Sequence, residues 1–264
     1  MTQILTNPAK QGGRGLALIE LLVMIAVVMI TLGLLLPSLA MARRTARRVV
    51  CATHEKSIGV AIHTYADDMD GSIPYGPRSE PSSIADFYVI DGMVTSQFSL
   101  LREGKAVGVG LLVGSYLSRR PESLFCPDTD QPFDADRELA RFGQTQAVSS
   151  YFYRHGSNTL ASLSQPPDTW DDHTQLQQLG TNRNGGAVRA LLIDQNFVVG
   201  LPVLAFNIVT RTNHQQRFTN ALFADGHVET LNNRDDQYTV YVGNSFYEGP
   251  EKILAVLEKA DIGE

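Results

Sequence analysis

Residues 14–48 read RGLALIELLVMIAVVMITLGLLLPSLAMARRTARR, and this stretch decides how the rest of the chain is interpreted. Between Leu21 and Ala42 lie 22 residues without a charged side chain. As an α-helix they extend about 33 Å, which is enough to cross the hydrocarbon core of a bilayer. The run is longer than the roughly 7 to 15 apolar residues of a cleaved secretory signal. The stretch therefore predicts a helical membrane span that the protein retains.

Glu20 is the one acidic residue among the first 50 residues, and it lies directly before this uncharged run. A charged side chain at the centre of a membrane helix costs about 2.5 to 3.5 kcal/mol on insertion-based scales. A simple anchor gains nothing from such a residue. We therefore expect Glu20 to have a specific partner.

The segment RGLALIE, residues 14–20, resembles the processing site of type IV prepilins and type II secretion pseudopilins. In that family a prepilin peptidase cuts a short basic leader after a glycine, the new N-terminal residue is methylated, and a glutamate lies five residues in. The resemblance implies cleavage between Gly15 and Leu16, with Leu16 standing where the family prefers Phe or Met. It also implies that the Glu20 carboxylate pairs with the N-terminal amine of another subunit. Removing one partner of such a buried pair would leave an uncompensated charge.

A second resemblance lies in NHQQRFTNALFADGHVETL, residues 213–231. A large bacterial group of prepilin-type proteins ends in a signature of a His, nine residues and then Asp-Gly. Here ten residues separate His214 from Asp225 and Gly226. From the residues alone, alternating side chains around Asp225-Gly226 predict a β-hairpin with a type I′ turn.

The apolar positions beyond the span continue a helical repeat through Ile58 and Tyr65. Asp70-Gly71 and then Pro74 supply stop signals, so one helix from Leu16 to about Asp67 is predicted. The segments 149–156 and 187–197 read as strands, 110–117 as either a short helix or a strand, and 248–262 as a terminal helix.

The predicted fold class is α+β and pilin-like, with a long N-terminal helix packed on a head that carries an antiparallel sheet. The predicted organisation is a leader at 1–15, a transmembrane half-helix at 16–42, its outer half at 43–70 and a head at 71–264. Polar, weakly periodic stretches at 76–83 and 156–186 read as loops.

The charge is unevenly distributed along the chain. Residues 1–50 hold six basic side chains and one acidic side chain, whereas the remainder holds 16 basic and 27 acidic side chains. Phosphate binding needs clustered Lys and Arg, so the acidic body excludes nucleic acid as the main partner.

The chain has two cysteines, Cys51 and Cys126. Outside the cytoplasm they could form one disulfide, and in a reducing compartment they would be separate buried thiols. Both alternatives stay open from the sequence.

Four residues in the C-terminal half of the chain could make a metal or hydrolytic site: Asp194, His214, Asp225 and His227. However, the chain has no HExxH, no cysteine pair at metal spacing and no Gly-x-Ser-x-Gly. The pattern favours hairpin structure, with His214 in a polar loop. We therefore expect neither a metal site nor an enzyme.

Asp67, Asp68 and Asp70 could bind Ca²⁺ through oxygen ligands. Their spacing lacks the alternating pattern and the bidentate Glu of a calcium loop. A solvated helix end is the favoured interpretation, and no cofactor is expected.

The resemblance implies a structural subunit of a type IV pilus-like or type II secretion pseudopilus-like filament. Its partners would be a prepilin peptidase, other pilin or pseudopilin subunits and the inner membrane, with the head in the periplasm and the filament at the cell surface after assembly. The alternative is a non-polymerising, membrane-anchored periplasmic binding protein or enzyme with a site near His214 and Asp225. The arginines at 43, 44, 47 and 48 would, by the positive-inside rule alone, keep the head in the cytoplasm. We give the cleavage motif more weight.

Overall fold

The computed structural model describes residues 18–75, 95–99, 104–117, 120–154, 174–200, 209–243 and 248–263. The chain divides into two compact units, residues 1–45 and 46–264. The predicted cleavage site at Gly15 and Leu16, the predicted loop 76–83 and most of the loop 156–186 lie outside the described residues.

Helix α1 runs from Leu18 to Asp68 and contributes residues to both units. Its length confirms the predicted helix. In the first unit almost every large apolar side chain from Leu18 to Met41 is exposed. Among the described residues, this is the one helix that is long and apolar enough to cross a membrane by length and composition.

The second part of α1 has a buried face. The side chains on this face follow one another at three- and four-residue intervals and include Cys51, Glu55, Ile58, Ile62 and Tyr65. The helix ends where predicted, because Asp70 and Gly71 adopt positive φ angles of 51° and 85° that do not continue a right-handed helix.

Seven strands lie within the described residues: β1 (Thr95–Ser99), β2 (Ala147–Tyr153), β3 (Ala190–Asp194), β4 (Phe197–Val199), β5 (Phe218–Phe223), β6 (Val228–Asn232) and β7 (Val240–Val242). Five of them form an antiparallel sheet in the order β1-β2-β3-β5-β6. Strands β4 and β7 pair in parallel as a separate two-stranded ribbon. The antiparallel sheet confirms the predicted α+β class.

The large sheet is covered on both faces. On one face, Tyr151 and Leu222 pack with Ile58 and Ile62 of α1. On the other face, the neighbouring strand residues pack against helix α3 (Glu248–Ile262). Because strand side chains alternate between faces, β2 and β5 serve both layers. This arrangement explains why every residue of β2 and β3 is buried.

The remaining elements are short. Helix α2 spans Ala135–Arg141, and 3₁₀ turns occupy Gly108–Leu112, Pro121–Leu124, His214–Gln216 and Arg234–Asp236. The segment 110–117 is thus partly a 3₁₀ turn and not a strand. Helix α3 has the bounds predicted for the terminal helix.

The predicted β5–β6 hairpin is confirmed, but its predicted type I′ turn is wrong. Leu222 pairs with Val228, and the Phe223 N–H donates to the His227 carbonyl. The loop therefore has three residues, and Gly226 has a φ of 81° whereas Asp225 keeps a negative φ. A type I turn followed by one left-handed glycine is the usual solution for a loop of this length.

Candidate functional site

Four residues that are distant in the sequence meet in the core of the second unit. Cys51 comes from α1, Cys126 follows the 3₁₀ turn at Pro121–Leu124, Asp194 ends β3, and His214 lies in the turn before β5. Their sulfur, oxygen and nitrogen atoms all lie within 4.8 Å of one another. Among the residues that the structure describes, they form the one such group with metal-ligating chemistry. We call them the buried cluster.

Each member is placed by the local fold. Cys51 is on the face of α1 that packs against the sheet, and Asp194 ends a strand that is buried throughout. His214 has a φ of 54°, a left-handed conformation that costs a non-glycine residue about 1 to 2 kcal/mol. The turn directs its ring into the core, where the residue is only 4% exposed.

The members contact one another directly. The Cys51 thiol donates to Oδ1 of Asp194 at 3.2 Å, and Oδ2 of Asp194 lies 3.1 Å from Nε2 of His214. Sγ of Cys126 is 3.5 Å from the same Nε2. The Asp194 carboxylate thus lies between one cysteine and the histidine.

A ring of polar groups surrounds the buried cluster and orients its members. Nδ1 of His214 lies 3.0 Å from Oδ2 of Asp128, which leaves Nε2 facing the cluster. The backbone N–H of Asn220 donates to Oδ2 of Asp194 at 2.7 Å. Arg47 lies 3.8 Å from Asp128, at the edge of this ring.

The electrostatics of the buried cluster follow from its burial. Burial raises the pKa of the Cys51 thiol well above its usual value, and burial also raises the pKa of Cys126 to about 11. Burial by itself would lower the pKa of His214, but the charge and hydrogen bond of Asp194 outweigh it and raise that pKa to about 11. These directions favour neutral thiols and a protonated His214 paired with the Asp194 carboxylate.

Glu55 lies one helical turn after Cys51 and is fully buried. Neither of its carboxyl oxygens has a hydrogen-bond partner among the residues that the structure describes. Burial, and next the charge of Asp194, raises its pKa well above its usual value. An unpartnered buried carboxyl is costly, since a buried polar group without a hydrogen bond forfeits about 1 to 3 kcal/mol.

The structure separates the two halves of the predicted His-Asp-Gly signature. His214 precedes β5 and belongs to the buried cluster, whereas Asp225 and Gly226 lie in the loop after β5. Asp225 instead accepts hydrogen bonds from the backbone N–H and the ring of His227. These bonds, with the backbone one foremost, hold the pKa of Asp225 below its usual value. Asp225 and His227 thus pair with each other on the hairpin loop, whereas His214 is buried. The expectation that His214 lies in a polar loop is wrong.

The other predicted site residues have simpler surroundings. Glu20 lies in the first turn of α1 and is exposed. Asp67, Asp68 and Asp70 are exposed at the end of α1, where Asp68 accepts a hydrogen bond from the Tyr116 hydroxyl at 3.0 Å. The two cysteines are free, buried thiols in the structure. The disulfide stays an untested alternative.

A pocket of about 370 Å³ lies beside the buried cluster and is lined by Arg137, Arg141, Arg211, Ser150 and Asn213, among others. Arg141 pairs with Glu138 at 2.7 Å, and Arg211 stacks on the Phe133 ring. None of the four cluster residues lines this pocket. The cluster is therefore a closed, buried site and not the floor of this pocket.

Sequence reasoning missed Cys51 and Cys126 as members of one site with His214. It also missed Glu55, although the spacing of Cys51 and Glu55 places both on the apolar stripe of the helix, where a carboxylate is unusual. No protein-family model, no curated protein and no solved structure matches this chain.

Proposed function

We propose that this protein is a structural subunit of a type IV pilus-like or type II secretion pseudopilus-like filament. The observation that carries the proposal is the first part of α1. Its apolar side chains are exposed over more than six turns, and a single carboxylate, Glu20, interrupts them at the start. A surface of this kind needs lipid or other copies of the same helix to cover it.

The placement of Glu20 supports assembly over simple anchoring. In a bilayer or a filament core the carboxylate is in a low-dielectric environment, where an unpaired charge is unfavourable. Cleavage after Gly15 would create an amine on Leu16 that can neutralise the Glu20 carboxylate of another subunit. Such a pair sets the register of neighbouring helices, because a misplaced helix leaves both charges uncompensated.

The folded second unit supports the role of a head. Helix α1 supplies one covering layer of its sheet, so the head and the helix form a continuous piece of structure from Ala46 onward. In the proposal the protein is an inner-membrane, single-pass subunit with its head in the periplasm. It is a substrate of a prepilin peptidase and a partner of other pilin or pseudopilin subunits.

The alternative, an enzyme or binding protein with a site near His214 and Asp225, has less support. His214 is buried, and Asp225 is on the hairpin loop with His227 as its partner. A hydrolytic site needs an accessible water and substrate. The geometry therefore favours the filament subunit.

Mass spectrometry of the mature N-terminus tests the proposal. We expect a chain that begins at N-methylated Leu16. Gly15→Val should block this processing, whereas the matched change Gly13→Val, two residues earlier in the leader, should leave it intact. A wild-type chain that retains Met1 in cells with an active prepilin peptidase would overturn the proposal.

A further inference from the structure

We propose that Cys51, Cys126, Asp194 and His214 bind one structural Zn²⁺ ion, which joins helix α1 to the sheet of the head. The inference is independent of filament assembly, because it concerns only residues of the second unit. It is carried by the geometry of four side chains and by an unpartnered carboxyl group beside them.

The spacing of the ligand atoms fits a tetrahedral ion. Zinc bonds of about 2.0 to 2.3 Å imply distances of roughly 3.3 to 3.8 Å between neighbouring ligands at tetrahedral angles. Nε2 of His214 lies 3.1 Å from Oδ2 of Asp194 and 3.5 Å from Sγ of Cys126, and Sγ of Cys51 lies 3.2 Å from Oδ1 of Asp194. One ligand atom from each residue lies within 4.8 Å of the other three. Small side-chain rotations would bring all four atoms to one centre.

The chemical types of the four ligands favour zinc over calcium and magnesium. Two sulfurs and an imidazole are soft or borderline donors that suit zinc, whereas calcium and magnesium prefer shells made wholly of oxygen. The four residues are between 0% and 4% exposed, which leaves no open position for substrate water. Closed four-ligand sites are structural, and catalytic sites keep one position open.

Glu55 supplies the second, independent observation. It is fully buried beside the cluster, and within the described part of the chain both of its oxygens lack a hydrogen-bond partner. Zn²⁺ with two thiolates and the Asp194 carboxylate has a net negative charge, so the site supplies no counter-charge for an ionised Glu55. When protonated, Glu55 could instead donate a hydrogen bond to a metal-bound thiolate.

The surroundings of the cluster match those of a metal site. Asp128 bonds to Nδ1 of His214, and this carboxylate–histidine pairing fixes the nitrogen that faces a metal. The backbone N–H of Asn220 donates to Oδ2 of Asp194 and so fixes the orientation of this carboxylate within the cluster. Binding of Zn²⁺ would release the thiol protons of Cys51 and Cys126 and the Nε2 proton of His214 to solvent.

A disulfide between Cys51 and Cys126 competes with the metal, because it consumes the same two sulfurs. The disulfide would need neither His214 nor Asp194, and it would leave Glu55 unpartnered. Asp128 and Asn220 orient His214 and Asp194, the two groups that a metal ion would use and a disulfide would not. We therefore assign the cluster to zinc.

The test uses the full chain, purified in detergent with its cysteines reduced. We expect one Zn²⁺ per chain by elemental mass spectrometry. After removal of zinc with a chelator, titration with Co²⁺ should give a thiolate-to-cobalt charge-transfer band and the intense visible bands of tetrahedral cobalt. This readout comes from the wild-type protein and does not depend on whether any variant folds.

Variants then locate the site. Cys126→Ser and His214→Asn should each weaken Zn²⁺ binding by about 100-fold or more. Asp128→Asn, which removes the carboxylate bonded to Nδ1 of His214, should weaken it by about 10- to 100-fold. His227→Asn is the matched control, because it removes an exposed histidine with its own aspartate partner and should leave the stoichiometry at one. Folding of each variant is checked by circular dichroism.

Either of two results would overturn the zinc assignment, and a third would remove His214 from the ligand set. One is a folded, reduced wild-type chain that binds neither Zn²⁺ nor Co²⁺ at micromolar concentration. The other is a Cys51–Cys126 disulfide, found by mass spectrometry after alkylation of protein taken from its native compartment. Unchanged cobalt bands in His214→Asn would also contradict the proposed ligand set.

Discussion

Nη1 of Arg154 lies 2.9 Å from both carboxylate oxygens of Asp261, and both side chains are almost completely buried. Arg154 directly follows β2, and Asp261 is in the last turn of α3. Asp261 also accepts hydrogen bonds from the Asn182 side chain and from the backbone N–H groups of Arg189 and Ala190. One carboxylate thus connects the terminal helix to the start of β3 and to the end of β2.

Asp261→Asn is therefore expected to destabilise the head strongly. The change leaves the Arg154 guanidinium buried without its counter-charge and turns an amide donor toward other donors, which should cost about 3 to 5 kcal/mol. Urea unfolding of the full chain in detergent, followed by near-ultraviolet circular dichroism, measures the loss. Glu229→Gln, an exposed change on β6, is the control and should stay within about 0.5 kcal/mol. A loss below about 1 kcal/mol for Asp261→Asn would show that the Arg154–Asp261 ion pair is not needed for the stability of the head.

Glu258 makes the folding stability of the head depend on pH, and the direction of this dependence follows from its pKa. Burial raises its pKa, but the hydrogen bonds and charge of Arg183 outweigh burial and hold the pKa below its usual value. A lowered folded-state pKa means that the unfolded chain binds the proton more readily. The ion pair of Glu258 with Arg183 therefore contributes fully to the free energy of unfolding above the unfolded-state pKa, near pH 4.3. Its contribution declines as the pH falls through the folded-state pKa.

The corresponding measurement compares wild type with Glu258→Gln. Wild type should be the more stable protein at pH 6, and the difference in the free energy of unfolding should shrink between about pH 5 and pH 3. The neutral side chain removes the titrating group, so other carboxylates affect both proteins equally. A difference that stays constant over this range would contradict the assigned ion pair.

The sequence predicted those elements that are specified by local patterns. Helix α1 ends at Asp68, just before Asp70 and Gly71, which adopt left-handed backbone. Helix α3 has an apolar stripe of Ile253, Leu254 and Leu257 that is buried in the structure. The β5–β6 hairpin was predicted from alternation around Asp-Gly. Its turn type was not, since the loop length depends on which residues pair across the strands.

The buried cluster could not be predicted, because its members come from four elements that meet only after the sheet forms. A single sequence carries no information on which distant residues pair. His214 was expected in a polar loop, and its burial depends on contacts with Asp128 and Asp194. The left-handed turn at His214–Gln216 contains no glycine, so nothing in the local sequence marks it.

Gly110 provides a test of the packing between the 3₁₀ turn at Gly108–Leu112 and β1. A Cβ atom at this position would lie 1.8 Å from the carbonyl oxygen of Phe98, which is backbone and cannot rotate away. Gly110→Ala should therefore displace β1 and cost about 2 kcal/mol or more. Gly114→Ala is the matched control, since no atom of the described residues lies within 4 Å of its Cβ. Its stability should change by less than about 1 kcal/mol. Equal stabilities of the two variants, measured by urea unfolding, would contradict the described contact.

Glu20→Ala tests whether the carboxylate in α1 serves assembly. The change makes the span more apolar, so insertion into the membrane should be retained. In the proposed filament it leaves an N-terminal amine of another subunit without its counter-charge, at a cost of about 3 to 5 kcal/mol per contact. Incorporation into filaments, measured in the sheared high-speed pellet, should then fall by at least about 100-fold.

Thr31→Ala is the control within the same helix. The Thr31 hydroxyl donates to the Val28 carbonyl one turn earlier, so its loss removes a polar group without exposing a charge. We expect this variant to insert into the membrane and to assemble like wild type. If Glu20→Ala were incorporated as efficiently as Thr31→Ala, Glu20 would have no part in assembly, and the charge-pair mechanism would have to be abandoned.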